Sequence, residues 1–287
     1  MNFGQLYQQS RWPVSFELFP PKEGQAIPAL MQTVAELAAL QPAILTVTYG
    51  ALGSTLRLTQ QLVTDIQQRF SLPVASHLTC VAATRASVGK YLEILLGHGI
   101  RHIVALRGDR PVGQNPDPAP GEFRHAADLV AFIKAGWPQL SIAVAGYPEK
   151  HPEAADFSTD IRHLRAKVDA GADAVLTQLF YDNDDFFRFH EACLKAGIAV
   201  PIVPGLMPIQ NFKQILRITA LCGARIPEAL RLQLDRHQED AHAIADIGAE
   251  WTIRQITGLR AHGFGAHHLY VLNRAQAAQR IIKELFS

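Results

Sequence analysis

The stretch that decides the fold of this chain runs from residue 141 to residue 181. It begins with an apolar run, SIAVAGY (141–147), continues with STDIRHLRAKVDA (158–170), and ends with a second apolar run, AVLTQLFY (174–181). The apolar runs have the length and composition of buried strands, and the stretch between them has helical spacing of its apolar residues. This order predicts a parallel βαβ unit whose strands are covered on both faces.

The same alternation extends over all 287 residues. Strands are predicted at 14–19, 43–50, 74–80, 102–108, 141–147, 174–181, 202–207 and 267–272, and helices at 26–40, 55–70, 84–98, 123–136, 158–170, 183–196, 209–222 and 274–285. A mostly helical insertion at about 227–263 precedes the last strand. Parallel strands in this number close a barrel, so we predict an α/β fold of the (β/α)8 TIM-barrel type, a single domain over residues 1–287. A doubly wound open sheet is the alternative, but no G-x-G-x-x-G or G-x-x-x-x-G-K-[ST] phosphate loop follows a strand.

Composition narrows the function classes. The chain is 48% hydrophobic and 18% charged, which suits a globular enzyme. Its 27 Lys and Arg against 26 Asp and Glu give a net charge of +1, and no basic run is interleaved with aromatic residues, so no nucleic-acid partner is expected. Cys80, Cys193 and Cys222 form no C-x-x-C pair, which argues against a disulfide framework or a zinc ribbon. With no signal peptide and no apolar run of about 18 residues, we expect no membrane segment and a cytoplasmic location.

Glu17 interrupts the first apolar run, VSFELF (14–19). An ionised carboxylate between Phe16 and Leu18 is costly to bury unless another group pairs with it or it takes up a proton. Glu17 is therefore the first candidate for a functional residue.

Further polar residues lie within the predicted strands or directly after them, where barrel enzymes carry their active sites. One such residue alone is more often a core residue whose hydrogen bonds are satisfied, but this set would converge on one mouth of the barrel: Glu17, Thr48, Tyr49, His77, Thr79, Arg107, Asp109, Tyr147, Gln178, Asn273 and Arg274.

No predicted strand contains a lysine, which disfavours Schiff-base chemistry. Glu17, His77 and Asp109 lack the spacing of metal-ligand motifs, so no metal site is predicted. For His267 and His268, which begin the last strand, we predict a structural role at the bottom of the barrel.

The helix at 158–170 carries Asp160, His163 and Lys167 on one face, because their spacing is i, i+3, i+7. Two readings are open. The face is a solvated helix surface, or, beside the loop that contains His151, it is a site for ribose hydroxyls and phosphates.

Eight blocks of this sequence closely resemble the bacterial 5,10-methylenetetrahydrofolate reductase family, in the same order over nearly the whole chain. They are FELFPP (16–21), VTYGA (47–51), HLTC (77–80), IRHIVALRGD (100–109), YPE with HPE (147–149 and 151–153), KVDAGA (167–172), TQ (177–178) and LNR (272–274). Several of these blocks are long enough that chance agreement is not credible.

The resemblance implies a barrel that holds FAD, takes hydride from NADH or NADPH, and reduces 5,10-methylenetetrahydrofolate to 5-methyltetrahydrofolate by a ping-pong scheme. Glu17 would be the general acid that protonates N10 of the folate, and burial between apolar neighbours would favour its protonated form. Asp109 would lie between flavin and pterin, where its negative charge disfavours an anionic reduced flavin and favours a cationic iminium ion. The pathway implied is one-carbon metabolism leading to methionine biosynthesis.

The family's binding positions carry over residue by residue. Substrate contacts fall on Asp109, Gln178, Gln214 and Arg274, and cofactor contacts on Thr48, Tyr49, His77, Arg107, Gly108, Asp109, Ala126, Tyr147, His151, Asp160, His163 and Lys167. The chain departs from the pattern at His163, where many relatives have Asn, and at Ala166, where a basic residue often precedes the lysine. Arg165 points to a different side of the helix, so weaker retention of FAD is expected.

Two other readings remain open. One is a flavin-independent barrel enzyme that binds folate or pterin, a lyase or a methyltransferase. The other is a non-catalytic flavin or folate binder, in which Glu17 would be an accident of packing. Small-molecule substrates and a homo-oligomer are expected in the leading reading, and the sequence does not choose between NADH and NADPH.

Overall fold

The computed structural model describes residues 1–10, 12–21, 27–49, 56–108 and 121–286. Asp109 and the Pro-rich stretch after it lie outside these residues, so its predicted position between flavin and pterin is not among the contacts below. No helix of the described part is both long and apolar enough to cross a bilayer.

The described strands form one parallel sheet with the order β7-β6-β5-β4-β3-β2-β1-β9-β8. Their bounds are β1 Trp12–Leu18, β2 Pro42–Val47, β3 Val74–Thr79, β4 His102–Leu106, β5 Ser141–Gly146, β6 Ala174–Thr177, β7 Ile202–Val203, β8 Gly205–Leu206 and β9 His267–Tyr270. The predicted strand 202–207 is therefore two short strands on either side of Pro204. The first pairs with β6 and the second with β9, so one segment completes the ring from both sides. The predicted barrel is confirmed.

The helices follow the predicted alternation, with one addition at the N-terminus. Their bounds are α1 Phe3–Gln9, α2 Ile27–Ala38, α3 Leu56–Phe70, α4 Arg85–Gly97, α5 Ala126–Gly136, α6 Phe157–Asp169, α7 Asn183–Lys195, α8 Phe212–Cys222, α9 Glu228–Arg236, α10 Ala241–Ala261 and α11 Gln276–Phe286. Side-chain caps start several of them, among which Asp156 accepts from the N–H of Thr159 and Asn211 from that of Gln214.

The added helix α1 closes the barrel end opposite the strand C-termini. Phe3, Leu6 and Tyr7 pack against small residues near the strand starts, including Ala43 and Ala75. The N–H of Phe3 donates to the Ser141 hydroxyl of β5 at 3.0 Å. Small side chains leave room at the barrel axis, and the three large residues of α1 fill that room.

The region between β8 and β9 contains two kinds of helix. α10 packs against α7 and α11 and so takes a place in the outer helical ring. α8 and α9 contribute to a separate apolar cluster with residues that follow strand ends, such as Leu179, Met207 and Leu272. We call α8 and α9 the cap, since this cluster lies on the mouth side of the barrel.

Candidate active site

Glu17 faces the barrel interior from β1. Alternation along the strand turns Phe16 and Leu18 to the opposite face, where they belong to the core under the helices. Glu17 is 7% exposed, and its Oε2 atom lies 3.4 Å from Nε2 of His77 in β3 and 3.4 Å from Nε2 of His268 in β9. The carboxyl group is therefore flanked by two imidazoles, while its apolar sequence neighbours point away from it.

The two imidazoles differ. The Nε2 atom of His77 makes no hydrogen bond of good geometry within the described residues despite its proximity to Glu17. Burial lowers the pKa of His77, against the opposing effect of Glu17, which favours a neutral ring. His268, by contrast, is hydrogen-bonded through both ring nitrogens.

A buried hydrogen-bonded chain leads from Glu17 to α1. The Nδ1 atom of His268 lies 2.6 Å from the Ser15 hydroxyl, which lies 2.6 Å from the Tyr7 hydroxyl. His268 and Ser15 are fully buried. The structural role predicted for His267 and His268 stays a prediction, and the structure adds that His268 contacts Glu17. His267 is fully buried, and this burial lowers its pKa to about 3.

Sequence reasoning missed Ser15, His268 and Tyr270 as neighbours of Glu17. Ser15 pairs with His268 and Glu17 with Tyr270 in the β1–β9 register. The Tyr270 ring packs edge-on against His268 at 4.9 Å, and its hydroxyl donates to the Thr177 carbonyl at 2.7 Å. Ser15 and Glu17 in β1, and His268 and Tyr270 in β9, are each two residues apart and so share one face of their strand. This spacing is the sequence signal from which the interior face could have been predicted.

Asn273 ties the ends of β1 and β9 together just above Glu17. Its side chain accepts from the N–H of Phe19 and donates to the Phe19 carbonyl, both at 2.8 Å. Leu272 and Asn273 have φ of 51° and 58°, the left-handed region that Asn tolerates well. These two hydrogen bonds and the positive φ explain why an asparagine stands at the centre of the LNR block (272–274). They also orient the chain that leads to Arg274, which is exposed at the rim.

On the rim beyond β4 and β5, Arg107 is held by Glu153. The two terminal nitrogens of Arg107 donate to the two carboxylate oxygens of Glu153 at 2.5 and 2.7 Å. The backbone N–H of Glu153 donates to the ring Nδ1 atom of His151, and the backbone N–H of His151 donates to the Asp160 carboxylate at 2.9 Å. Tyr147 packs edge-on against His151 with ring centroids 4.6 Å apart. The structure thus joins five residues in one network: Arg107 directly after β4, Tyr147, His151 and Glu153 in the β5–α6 loop, and Asp160 in α6.

The α6 face predicted from spacing is only partly a solvated surface. Asp160 is buried, and Lys167 donates to the Ala145 carbonyl of β5 at 2.5 Å. Burial lowers the pKa of Lys167 to about 8, against the opposing charge of Asp160. His163 is exposed and stacks on His125, the residue before Ala126. Arg165 turns away, as expected, and donates to the Ala196 carbonyl.

The remaining predicted residues follow strand ends or lie on the cap. The N–H of Thr48 donates to the Leu18 carbonyl, and Tyr49 contacts the Tyr91 ring. Gly108 has φ of 91°, a conformation that other residues rarely adopt. Gln178 folds back to accept from the N–H of Leu179, and Gln214 is exposed in the first turn of α8. Within the described residues, no three His, Cys, Asp or Glu side chains lie close enough to hold a metal ion.

Comparison with known proteins decides the family. The model of the methylenetetrahydrofolate reductase family matches residues 2–286. The chain belongs to this family. It is 37% identical over 277 residues to 5,10-methylenetetrahydrofolate reductase of Salmonella typhimurium, covering 96% of this chain and 92% of the relative. It is 36% identical to the Escherichia coli enzyme of the same name over the same shares, and 37% identical to methylenetetrahydrofolate reductase (NADH) 1 of maize, of which it covers 48%.

Solved structures with low sequence identity share the reductase family's barrel. An uncharacterised Clostridium thermocellum protein, described as binding two copies of 5-methyl-5,6,7,8-tetrahydrofolic acid, superposes with a TM-score of 0.67 at 15% identity over 98% of this chain and 95% of that one. A Bombyx mori aldo-keto reductase in complex with NADP gives 0.53 at 15% identity over 96% and 84%. These likenesses concern the fold alone. The family resemblance predicted from the sequence blocks is confirmed, and the chain is a methylenetetrahydrofolate reductase-family oxidoreductase.

Proposed function

We propose that this methylenetetrahydrofolate reductase-family chain is an FAD-dependent enzyme that uses NADH or NADPH to reduce 5,10-methylenetetrahydrofolate to 5-methyltetrahydrofolate. One observation carries the mechanistic part of the proposal. Glu17 is a nearly buried carboxyl group at the mouth of the barrel, and a fully buried histidine, His268, hydrogen-bonds to it. A carboxyl group so placed suits a general acid, since a positioned partner can stabilise it after it has given up its proton.

The hydrogen-bonded chain behind Glu17 has two complete orientations. When Glu17 is ionised, His268 donates to it through Nε2 and accepts from Ser15 at Nδ1, and Ser15 accepts from Tyr7. When Glu17 is protonated, it donates to His268, which donates to Ser15. Each protonation state of Glu17 thus has a matching set of donors with His268 neutral. We propose that the hydrogen-bonded residues His268, Ser15 and Tyr7 hold the Glu17 side chain in place while Glu17 passes its proton to N10 of the folate.

The described residues also suit FAD. The cations Arg107 and Lys167 lie near the rim formed by β4, β5 and α6, where they can offset the charge of a diphosphate. The buried Nε2 atom of His77 lacks a good hydrogen bond and can serve a polar edge of a ring system. Thr48, Tyr49, Gly108, Ala126, Tyr147, His151, Asp160 and His163 complete the proposed cofactor set, and Gln178, Gln214 and Arg274 the substrate set. When bound, FAD would supply the storage of one hydride between two half-reactions.

Asp109, outside the described residues, keeps its proposed electrostatic role between flavin and pterin. The proposal further includes a cytoplasmic homo-oligomer with small-molecule substrates only. The presence of cysteines without a disulfide among the described residues is compatible with a reducing compartment.

The test is an anaerobic titration of the purified protein. We expect a yellow protein whose flavin absorbance is bleached by a reduced nicotinamide and restored by 5,10-methylenetetrahydrofolate. Comparing NADH with NADPH as the reductant in the same experiment decides which nicotinamide is used. A colourless protein that takes up no added FAD would overturn the flavin part and favour a flavin-independent folate enzyme.

A further inference from the structure

One more polar side chain lies on the interior face that carries Glu17. Thr46 in β2 pairs with Glu17 in the parallel β1–β2 register, and register partners in a sheet point to the same face. Leu45 and Val47, on either side of Thr46, pack in the core under the helices, so Thr46 points into the barrel. Thr46 is fully buried there. Its side chain therefore stands next to that of Glu17.

The contact between Glu17 and His77 joins the two strands on either side of Thr46. β2 lies between β1 and β3 in the sheet, and the Oε2 atom of Glu17 is 3.4 Å from the Nε2 atom of His77. The two long side chains thus meet over the shorter side chain of Thr46. Because neighbouring strands are about 4.8 Å apart, rotation about side-chain bonds brings the Thr46 hydroxyl within hydrogen-bonding reach of the carboxyl group.

The Thr46 hydroxyl has no hydrogen-bond partner among the residues that the structure describes. A buried hydroxyl in this state lowers the stability of the fold. Other hydroxyl groups around Glu17 are engaged, since Ser15 is bonded to Tyr7 and Tyr270 donates to the Thr177 carbonyl. A buried donor left over beside a carboxyl group calls for a functional explanation.

The need for such a donor arises when Glu17 gives up its proton. Its carboxylate then has two oxygens and about four sites that accept hydrogen bonds. His268 supplies one donor through Nε2, whereas the Nε2 atom of His77 makes no hydrogen bond of good geometry in the described chain. The ion pairs between described residues join Glu17 to these two histidines and to no lysine or arginine. An ionised Glu17 therefore has sites for a second donor.

We propose that Thr46 is a positioning residue for the general acid: its hydroxyl turns to donate to the Glu17 carboxylate as that carboxylate forms, and so stabilises it. The inference rests on the proposed function, in which Glu17 passes its proton to N10 of the folate. The Thr46 proton stays on its own oxygen throughout. Because the hydrogen bond favours the ionised form, it makes Glu17 the stronger acid.

The titratable side chains around Glu17 come from several elements. Among the described residues they are His77 from β3, His268 and Tyr270 from β9, and, farther away, Tyr7 of α1 and Tyr147 of the β5–α6 loop. All of them are kept when the Thr46 hydroxyl alone is removed. A change in the pH profile on that removal therefore reports on the hydroxyl.

The first experiment follows the folate half-reaction of the holoenzyme by stopped-flow absorbance from about pH 6 to about pH 9. Thr46→Val keeps the shape of the side chain and removes the hydroxyl. We expect its rate to fall by about tenfold, because a hydrogen bond to a charged group is lost. Without this donor Glu17 holds its proton to higher pH, so the alkaline limb of the profile should move up by about one pH unit.

Two further variants control this experiment. Thr46→Ser keeps the hydroxyl and should restore both the rate and the profile. Thr252→Val removes a hydroxyl that is also buried but donates to the Gly248 carbonyl within α10, and should behave as the wild type. Reduction of the flavin by the nicotinamide should be unchanged in all of them. A wild-type pH profile in Thr46→Val, or a Thr46→Ser variant as slow as Thr46→Val, overturns the inference.

The second experiment needs no turnover. Urea denaturation at a fixed FAD concentration gives the unfolding equilibrium constant of the wild type, Thr46→Val, Glu17→Gln and the double variant, at about pH 5 and about pH 9. With Glu17 present, we expect Thr46→Val to raise this constant about tenfold more at the higher pH, where the carboxylate needs the donor. In the Glu17→Gln background the effect of Thr46→Val should be the same at both values.

An equal pH dependence in the two backgrounds would mean that the hydroxyl serves another partner, and overturns the inference. A protein that fails to reduce the folate refutes the proposed function instead, while the unfolding measurements still test the bond between Thr46 and Glu17.

Discussion

At the scale of single residues, Glu17 illustrates what a sequence can and cannot predict. Its place in an apolar run identified it, because a buried carboxyl group needs a partner. The sequence analysis placed Glu17 among apolar neighbours, but the side chains of Phe16 and Leu18 face away from it and do not form its surroundings. His268, its hydrogen-bonding partner, is 251 residues distant along the chain, and no local pattern could have joined the two.

Glu17→Gln tests the acid directly. The amide keeps the size and a hydrogen bond to His268 but has no proton to give to N10. We expect reduction of the folate to fall by about 10²-fold to 10⁴-fold while reduction of the flavin by nicotinamide stays near the wild-type rate. Stopped-flow absorbance of the two half-reactions measures both rates. An equal loss in both would mean that Glu17 supports the cofactor or the fold.

Ser15→Ala tests the chain behind Glu17. The substitution leaves two buried groups, the Tyr7 hydroxyl and Nδ1 of His268, without their shared partner. We expect a loss of about 1–3 kcal/mol in the free energy of unfolding, together with a slower folate half-reaction. Tyr7→Phe, which keeps the Ser15–His268 contact, is the comparison and should slow the folate half-reaction less. If the two variants lost the same free energy of unfolding and slowed the folate half-reaction equally, removing Ser15 would affect Glu17 no more than removing the more distant Tyr7 hydroxyl.

At the scale of elements, the sequence predicted those built by local periodicity and missed those fixed by contacts between distant segments. Helices such as α6 follow from spacing and from the cap at Asp156. The helix α1 is only seven residues long and contains three glutamines, so its burial depends on the barrel end that it fills. The split of 202–206 into β7 and β8 likewise depends on two different neighbours.

The helix α6 carries the departure at Ala166, which is exposed one residue before Lys167. A cation restored there should strengthen retention of FAD, since the proposed diphosphate site lies along this helix. We expect Ala166→Arg to lower the dissociation constant for FAD by about twofold to fivefold at low salt, and less at high salt. Flavin fluorescence on dilution measures the release. Ala166→Gln adds a long uncharged side chain, and an equal gain in that variant would contradict an effect of charge.

At the scale of the whole molecule, the repeat of strand and helix was enough to predict the barrel, because each βα unit is local and their number closes a ring. What could not be predicted is how the ring is finished. One end is filled by α1, the other is partly covered by the cap, and the ring is completed by a short segment interrupted by Pro204.

Phe3→Ala tests whether α1 supports the whole barrel. Phe3 is fully buried among the starts of several strands, so its removal leaves a cavity that the surrounding strands cannot easily fill. We expect a loss of about 3–5 kcal/mol in the free energy of unfolding, measured by urea denaturation. Gln8→Ala, on the exposed side of the same helix, should change it by about 0.5 kcal/mol or less. Similar values for the two variants would mean that α1 is only an appendage.

The short segment at 202–206 has a consequence for how such an enzyme can be varied by directed evolution. The Pro204 carbonyl accepts from the N–H of His268 at 2.9 Å, and Gly205 lies so close to Thr177 that a methyl group on it would overlap the Thr177 carbonyl. That carbonyl also accepts from Tyr270. The segment therefore supports the backbone of His268 without belonging to the proposed cofactor or substrate set. We expect a library confined to residues 202–206 to yield clones with altered turnover and unchanged substrate preference.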